Sequence, residues 1–64
     1  MTAALWQRAE ELLQRNSSLR RGQALFNAFA ELNPEKADRI RGTDIDPFYS
    51  DKRIGAFLRE VQGG

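Results

Sequence analysis

The sequence predicts an all-α fold: a small bundle of three main helices plus one short helix, with an ordered loop around residues 42–50. Three observations predict this fold. Apolar residues recur at helical spacing in three separate stretches, an Asn-Pro pair has the form of a helix start, and no stretch alternates as a half-buried strand does. We expect residues 1–64 to form a single small domain, because so short a chain builds only one thin core.

The first two helices are predicted from two apolar stripes. The first helix runs from about Ala3 to Arg15, and its stripe consists of Leu5, Ala9, Leu12 and Leu13. The second helix runs from about Leu19 to Leu32, with Ser17 or Ser18 as its N-cap. Its apolar arc consists of Leu25, Phe26, Phe29 and Leu32.

Gly22 lies in the middle of the apolar arc of the second helix. Glycine inside a helix costs up to ~1 kcal/mol relative to alanine. The position therefore predicts that another backbone approaches closely there. A large residue at this site should destabilise the fold by overpacking.

The last two helices are predicted from start and stop residues. Asn33 and Pro34 begin a short helix that runs to about Arg41 and ends at Gly42. Asp46-Pro47 is expected to cap one further turn, and Ser50 or Asp51 to open the last helix. The apolar stripe of that helix consists of Ile54, Phe57, Leu58 and Val61.

Composition excludes several kinds of function. The chain has neither histidine nor cysteine, so it lacks nitrogen and sulfur metal ligands and the usual nucleophile–base pairs. A domain this small rarely builds the deep cleft that catalytic carboxylate pairs need. We therefore predict a non-enzymatic protein that uses no cofactor and no metal.

Charge and hydropathy predict the surroundings of the protein. Ten basic and nine acidic residues give a net charge of +1, which disfavours a general nucleic-acid binder. No apolar run is long enough to span a membrane, and the N-terminus lacks the pattern of a secretory signal. A cytoplasmic location is the simplest expectation.

Residues 39–49 are the most informative stretch, because they interrupt a helical sequence with two arginines, two aspartates and two adjacent aromatics. A mere connector needs only a few polar residues. We expect this segment either to pack as a structural element or to present a binding surface. Together with the polar side of the second helix, it gives the candidate binding residues Arg20, Gln23, Asn27, Arg39, Arg41, Asp44, Asp46 and Tyr49.

Three aspartates permit two interpretations. Asp44, Asp46 and Asp51 could gather near one loop, and their oxygens suit magnesium or calcium. Their spacing does not match an EF-hand. Asp46 and Asp51 also stand where helix caps are expected, and capping is the favoured interpretation because it satisfies orphaned backbone donors.

Arg20, Arg21 and Asn27 also permit structural and functional interpretations. Positive charge at the start of a helix opposes its dipole, so the two arginines are expected to be neutralised by Asp44 or Asp46 or to remain solvated. The alternative is contact with a partner's carboxylates or phosphates. Asn27 is either solvent-exposed or, as we favour, hydrogen-bonded to the loop of residues 41–46.

The aromatic residues are expected to serve the core first. In so small a domain Phe48 should complete the core while Tyr49 rests half-exposed. If Tyr49 and Trp6 instead lie exposed side by side, they form a hot spot for protein binding flanked by arginine.

Two motifs resemble those of a family of short uncharacterised proteins of bacteria and their phages. The motifs are RGQALFN at residues 21–27 and IRGTDIDPFY at residues 40–49. The resemblance covers about residues 19–58 and implies no activity. It implies that the two motifs form one structural unit.

Three functions remain as hypotheses. The first is a small helical module that binds an unidentified protein partner, as a monomer or weak homodimer. The second is a weak nucleic-acid binder of helix-turn-helix type, which the charge balance and the acidic residues Glu35 and Asp38 disfavour. The third is a carboxylate metal-binding protein.

Overall fold

Helices account for most of the computed structural model, which describes residues 2–63. They are α1 at Thr2–Arg15, α2 at Arg21–Leu32, α3 at Pro34–Ile40 and α4 at Ile54–Gly63, with a short 3₁₀ helix at Asp51–Arg53 just before α4. Over the described range there is no strand. The all-α prediction, with three main helices and one short helix, is confirmed. None of the helices in that range is both long and apolar enough to cross a membrane.

Helix α2 lies at the centre of the core. Its buried face packs against α1, which contributes Leu5 and Ala9, and against α4, which contributes Phe57 and Val61. Phe57 meets the two phenylalanines of α2, with ring centroids 6.3 Å from Phe26 and 5.3 Å from Phe29. Within α2 the predicted apolar arc is confirmed, except that Leu32, its last residue, is 47% exposed.

The start of α2 differs from the prediction. The helix begins at Arg21 rather than Leu19, and neither Ser17 nor Ser18 caps it. Ser18 instead donates from its backbone N (3.1 Å) and its hydroxyl (2.6 Å) to Oδ1 of Asn16, within the turn that follows α1. Ser18 therefore stabilises the turn after α1 instead of the start of α2.

The backbone donors at the start of α2 are satisfied by side chains further along the chain. Oε1 of Gln23 accepts from the backbone N of Arg20 at 2.9 Å. Oδ1 of Asp51 accepts from the backbone N of Gly22 at 3.0 Å, across 29 positions of sequence. Asp51 thus caps α2 rather than α4, and it places a negative charge where the helix dipole favours one.

The predicted boundaries of α3 are confirmed to within one residue. Oδ1 of Asn33 accepts from the backbone N of Lys36 at 3.2 Å, and Pro34 occupies the first turn. Gly42 follows the helix with φ of +79°, a backbone conformation that glycine adopts without steric cost. Ser50 then caps the 3₁₀ helix by accepting from the backbone N of Lys52 at 3.3 Å.

An ion pair joins α1 to α2. Nε of Arg8 donates to Oε1 of Glu31 at 2.7 Å, and Nη2 donates to Oε2 at 3.3 Å. Arg8 also bonds Glu11 at 3.0 Å on its own helix. The hydrogen bond from Arg8 lowers the pKa of Glu31 below its ordinary value. No local pattern identifies this pair, because its members lie 23 positions apart.

This ion pair predicts a pH dependence of stability. Because the pKa of Glu31 is lower in the folded state, the pair stabilises the fold above the ordinary pKa of a glutamate. That contribution should be lost as the pH falls from roughly 4.3 through the lowered pKa. Thermal melts from pH 6 to pH 2.5 (roughly the span of interest) should show a smaller acid-induced fall in Tm for Glu31→Gln than for wild type. Glu10→Gln, an exposed site on α1, is the control and should keep the wild-type slope; equal slopes for all three proteins would contradict the prediction.

Candidate functional site

The segment of residues 39–49 is organised around Asp46, whose side chain is fully buried. Its Oδ2 accepts from the backbone N of Gly42 at 2.7 Å, and its Oδ1 accepts from the backbone N of Phe48 at 2.9 Å. Two further hydrogen bonds hold Thr43, which lies between Gly42 and Phe48. Thr43 donates its hydroxyl to Ile40 O at 2.6 Å, and Arg53 donates to Thr43 O at 3.3 Å. The segment is therefore a structural element, and Asp46 does not lie on the surface where we expected a binding residue.

This segment packs directly against the first turns of α2. A Cβ added to Gly22 would lie 2.2 Å from the carbonyl oxygen of Pro47, far inside van der Waals contact. Beside it, Nη2 of Arg20 donates to the carbonyl oxygen of Phe48 at 2.6 Å. The predicted close approach at Gly22 is confirmed. The contact also brings together the two sequence motifs, because Gly22 belongs to the first and Pro47 to the second.

The two adjacent aromatics have different surroundings. Phe48 is half-buried, and its ring packs edge-on against Phe26 at 6.4 Å between centroids, as expected for a core residue. Tyr49 contacts the Phe48 ring at 5.3 Å but is 64% exposed. The tyrosine therefore follows a residue, Phe48, whose backbone is hydrogen-bonded. Its side chain is more exposed than the half-exposed position that we expected.

Two arginines and a tryptophan lie at the same end of α2. Arg21 stacks over the ring of Trp6, 5.7 Å from its centroid, and Trp6 itself is half-buried. Arg20 bonds the carbonyl that precedes Tyr49. We refer to Trp6, Arg20, Arg21 and Tyr49 as the Tyr49 patch. Trp6 is half-buried and Tyr49 contacts Phe48, so the exposed Trp6–Tyr49 pair that we considered is not formed.

The source of the charge that neutralises Arg20 differs from the expectation. Asp46 is turned inward, and the carboxylate beside Arg20 belongs to Asp51, with Nε and Oδ1 3.8 Å apart. Asp44 is exposed elsewhere on the segment. Asp51 was predicted as a cap or a metal ligand. Its contact with the start of α2 was not predicted, because the two lie 29 positions apart in the sequence.

Two candidate binding residues on α2, Gln23 and Asn27, lie partly inside the fold. Gln23 is half-buried and its side chain caps α2. Asn27 is half-buried as well, but among residues 2–63 it makes no side-chain hydrogen bond to the loop at 41–46, so that prediction is wrong. The buried carboxylate of Asp46 fixes the loop instead.

The other candidate residues lie near α3. Arg41 stacks over the Phe26 ring at 5.2 Å and bonds Asp38 at 3.2 Å. Arg39 and Asp44 line an open groove of about 620 Å³, whose remaining walls are Lys36, Ile40, Thr43, Ile45 and Glu60. Of the eight predicted surface residues, two therefore line the groove and two belong to the Tyr49 patch, while the other four lie in neither.

Two of the three aspartates act as caps. Asp46 accepts from Phe48 N in the turn that it was predicted to cap, whereas Asp51 caps α2 instead of the last helix. Within residues 2–63 no group of three or more acidic side chains is placed to hold a metal ion.

Comparison of the chain with protein-family models, curated proteins and solved structures found no match.

Proposed function

We propose that this chain is a small non-enzymatic module that binds another protein through the Tyr49 patch. The main support is the 64% exposure of the Tyr49 side chain on a backbone that is hydrogen-bonded on both sides, at Phe48 and at Ser50. Most large apolar side chains of the described residues are buried or half-buried, so this exposure leaves a ring available for a partner.

The order of the patch favours binding. A side chain on a flexible loop loses conformational freedom when a partner binds, and this loss weakens the complex. Here the backbone on the N-terminal side of Tyr49 is held by Arg20 and Asp46, and Ser50 caps the 3₁₀ helix that follows. Tyrosine, tryptophan and arginine are also the residues that contribute most to protein–protein contacts.

The region around α3 favours a protein over a nucleic acid as the partner. As a reading helix, α3 would be short, at seven residues, and it exposes Glu35 and Asp38, which phosphates would repel. Arg41, which could contact phosphate, is paired with Asp38. A helix-turn-helix protein instead presents a longer helix to the major groove, with basic residues around it.

The test is site-specific photo-cross-linking in the native host. A photoreactive phenylalanine analogue replaces Tyr49 in one protein and Gln14, exposed on α1, in the matched control. We expect a discrete cross-linked protein from position 49 and none from position 14. Tyr49→Ala should abolish co-purification of that protein, while its free energy of unfolding falls by about 0.5–1.5 kcal/mol, the value of the ring pair with Phe48.

Two results would count against this function. One is the absence of any adduct specific to position 49. The other is a partner that Tyr49→Ala retains as strongly as wild type does, which would place the contact elsewhere on the protein.

A further inference from the structure

We infer that the segment recognised by the Tyr49 patch is acidic: it offers carboxylates to Arg20 and Arg21 and an apolar side chain to Tyr49. This inference rests on the proposed function and adds the chemistry of the partner. It comes from the charges, the exposed ring and the bonds already made at this end of α2.

Positive charge exceeds negative charge at the start of α2. Arg20 and Arg21 lie at the start of α2, whose first turn has no acidic residue, and the helix dipole adds positive potential there. Of the described carboxylates, Asp51 forms the ion pair with Arg20, at 3.8 Å. Its Oδ1 also accepts from Gly22 N at 3.0 Å. Among the described residues no carboxylate forms an ion pair with Arg21, so the two guanidinium groups are matched by the single carboxylate of Asp51 and the patch has excess positive charge.

The groups at this end of α2 that can contact a partner are the guanidinium groups of Arg20 and Arg21. The backbone N–H groups of Arg20 and Gly22 already donate to Gln23 and Asp51, so the helix end itself is occupied. The guanidinium groups remain. The Arg20 side chain is 49% exposed, and Arg21 is exposed where it stacks on Trp6. A guanidinium stacked on an aromatic face keeps its N–H groups at its edge, which is the geometry that a carboxylate requires.

The ring of Tyr49 supplies the apolar part of the patch, and the small number of arginines favours an acidic protein segment over a nucleic acid. The exposed ring of Tyr49 follows the carbonyl that Arg20 binds, so charge and apolar area adjoin. A nucleic-acid backbone needs several cationic contacts along a stripe. Two arginines with Asp51 beside one of them offer less than that, whereas they match two carboxylates that flank one apolar residue.

The experiment uses two synthetic peptides that differ only in charge. One has a central leucine between pairs of glutamates, and the other has glutamine in place of each glutamate. Each is titrated into the ¹⁵N-labelled full chain and followed by NMR. We expect the acidic peptide to shift the backbone amides of residues 20–22 and 49 and the indole N–H of Trp6. The glutamine peptide should bind about tenfold more weakly, because two exposed arginine–carboxylate pairs are lost.

Matched variants locate the contact. Arg21→Gln should weaken the acidic peptide about threefold, the value of one exposed pair. Arg59→Gln removes an exposed arginine from α4 instead and should leave binding unchanged. Amide spectra of both variants establish that each is folded as wild type.

Several results would overturn the inference: equal binding of the two peptides, equal loss in the two variants, or stronger shifts of the same amides by a short single-stranded DNA. Cross-linking at position 49 separates this failure from failure of the proposed function. A specific adduct together with no binding of the acidic peptide would refute the acidic partner alone. The absence of an adduct would refute the proposed function as well.

Discussion

Replacing Gly22 with leucine is expected to lower the free energy of unfolding by about 3 kcal/mol, the upper end of the usual cost of overpacking. The first atom of any side chain already has no space. A Cβ at this position would lie 2.2 Å from Pro47 O and 2.8 Å from Oδ1 of Asp51. The carbonyl belongs to the backbone of a segment that Asp46 holds in place, so it cannot rotate away as a side chain would.

Alanine at the same position separates the loss of backbone contact from mere bulk. Gly22→Ala should also destabilise, by about 1–3 kcal/mol, although alanine is intrinsically the better helix former. Gly55→Ala in α4 is the control, because among residues 2–63 no non-neighbouring atom lies within 4 Å of the added Cβ. That variant should gain up to about 1 kcal/mol.

Urea denaturation followed by circular dichroism measures all three variants. A domain of this size has about 3–10 kcal/mol of stability in total, so about half of the Gly22→Leu molecules should be unfolded without urea at the low end of that range. Wild-type stability in Gly22→Ala would mean that residues 39–49 do not pack against α2. The fixed backbone beneath Tyr49, on which the binding proposal depends, would then be absent.

Local patterns in the sequence were sufficient for the helices. Apolar spacing located α1, α2 and α4, and Asn33, Pro34 and Gly42 located α3, because caps and periodicity act over a few residues. The importance of Gly22 was also predictable, since glycine costs stability inside a helix and is favoured in an apolar stripe where another backbone comes close. Its actual neighbour, Pro47, was not predictable, because no local signal indicates which backbone approaches.

Contacts between distant residues were beyond the sequence. Asp51 caps α2 across 29 positions, and Arg8 pairs with Glu31 across 23. Such pairs form only after the helices pack, so neither spacing nor composition identifies them. The same limit explains only part of the error at Ser17 and Ser18. Asp51 caps α2 from 29 positions away, whereas Gln23 lies three residues after Arg20, a local capping pattern that could have been recognised.

The candidate surface shows a second limit. Asp46 was predicted on the surface but is buried, and Tyr49 was predicted half-exposed but is 64% exposed. A charged group can be buried when its hydrogen bonds replace those it made with water, and backbone N–H groups supply them here. No composition rule reveals such bonds in advance. The interaction surface could therefore be predicted as a region, but not residue by residue.

The buried carboxylate leads to the second large effect: Asp46→Ala should lower the free energy of unfolding by about 3 kcal/mol. The substitution removes both acceptors and leaves the N–H groups of Gly42 and Phe48 without partners, and each bond to a charged acceptor contributes about 1.5–3 kcal/mol. It also removes the atoms that join the end of α3 to the turn before Tyr49. The loss should therefore be accompanied by disorder of the segment.

Two further variants show whether the hydrogen bonds are responsible. Asp46→Asn keeps the volume and one acceptor oxygen, so it should lose less, about 1–2 kcal/mol. Asp44→Ala removes an exposed carboxylate two positions earlier and should stay within about 0.5 kcal/mol of wild type. Urea denaturation gives the free energies, and amide hydrogen exchange of Gly42 and Phe48 gives the local effect, with faster exchange expected in the order Asp44→Ala, Asp46→Asn, Asp46→Ala. If Asp46→Ala proved as stable as Asp44→Ala, with both amides still protected, Asp46 would not be what orders residues 42–48. The backbone at Tyr49 would then be held in place only by the bond from Arg20 and by the Gly22–Pro47 contact.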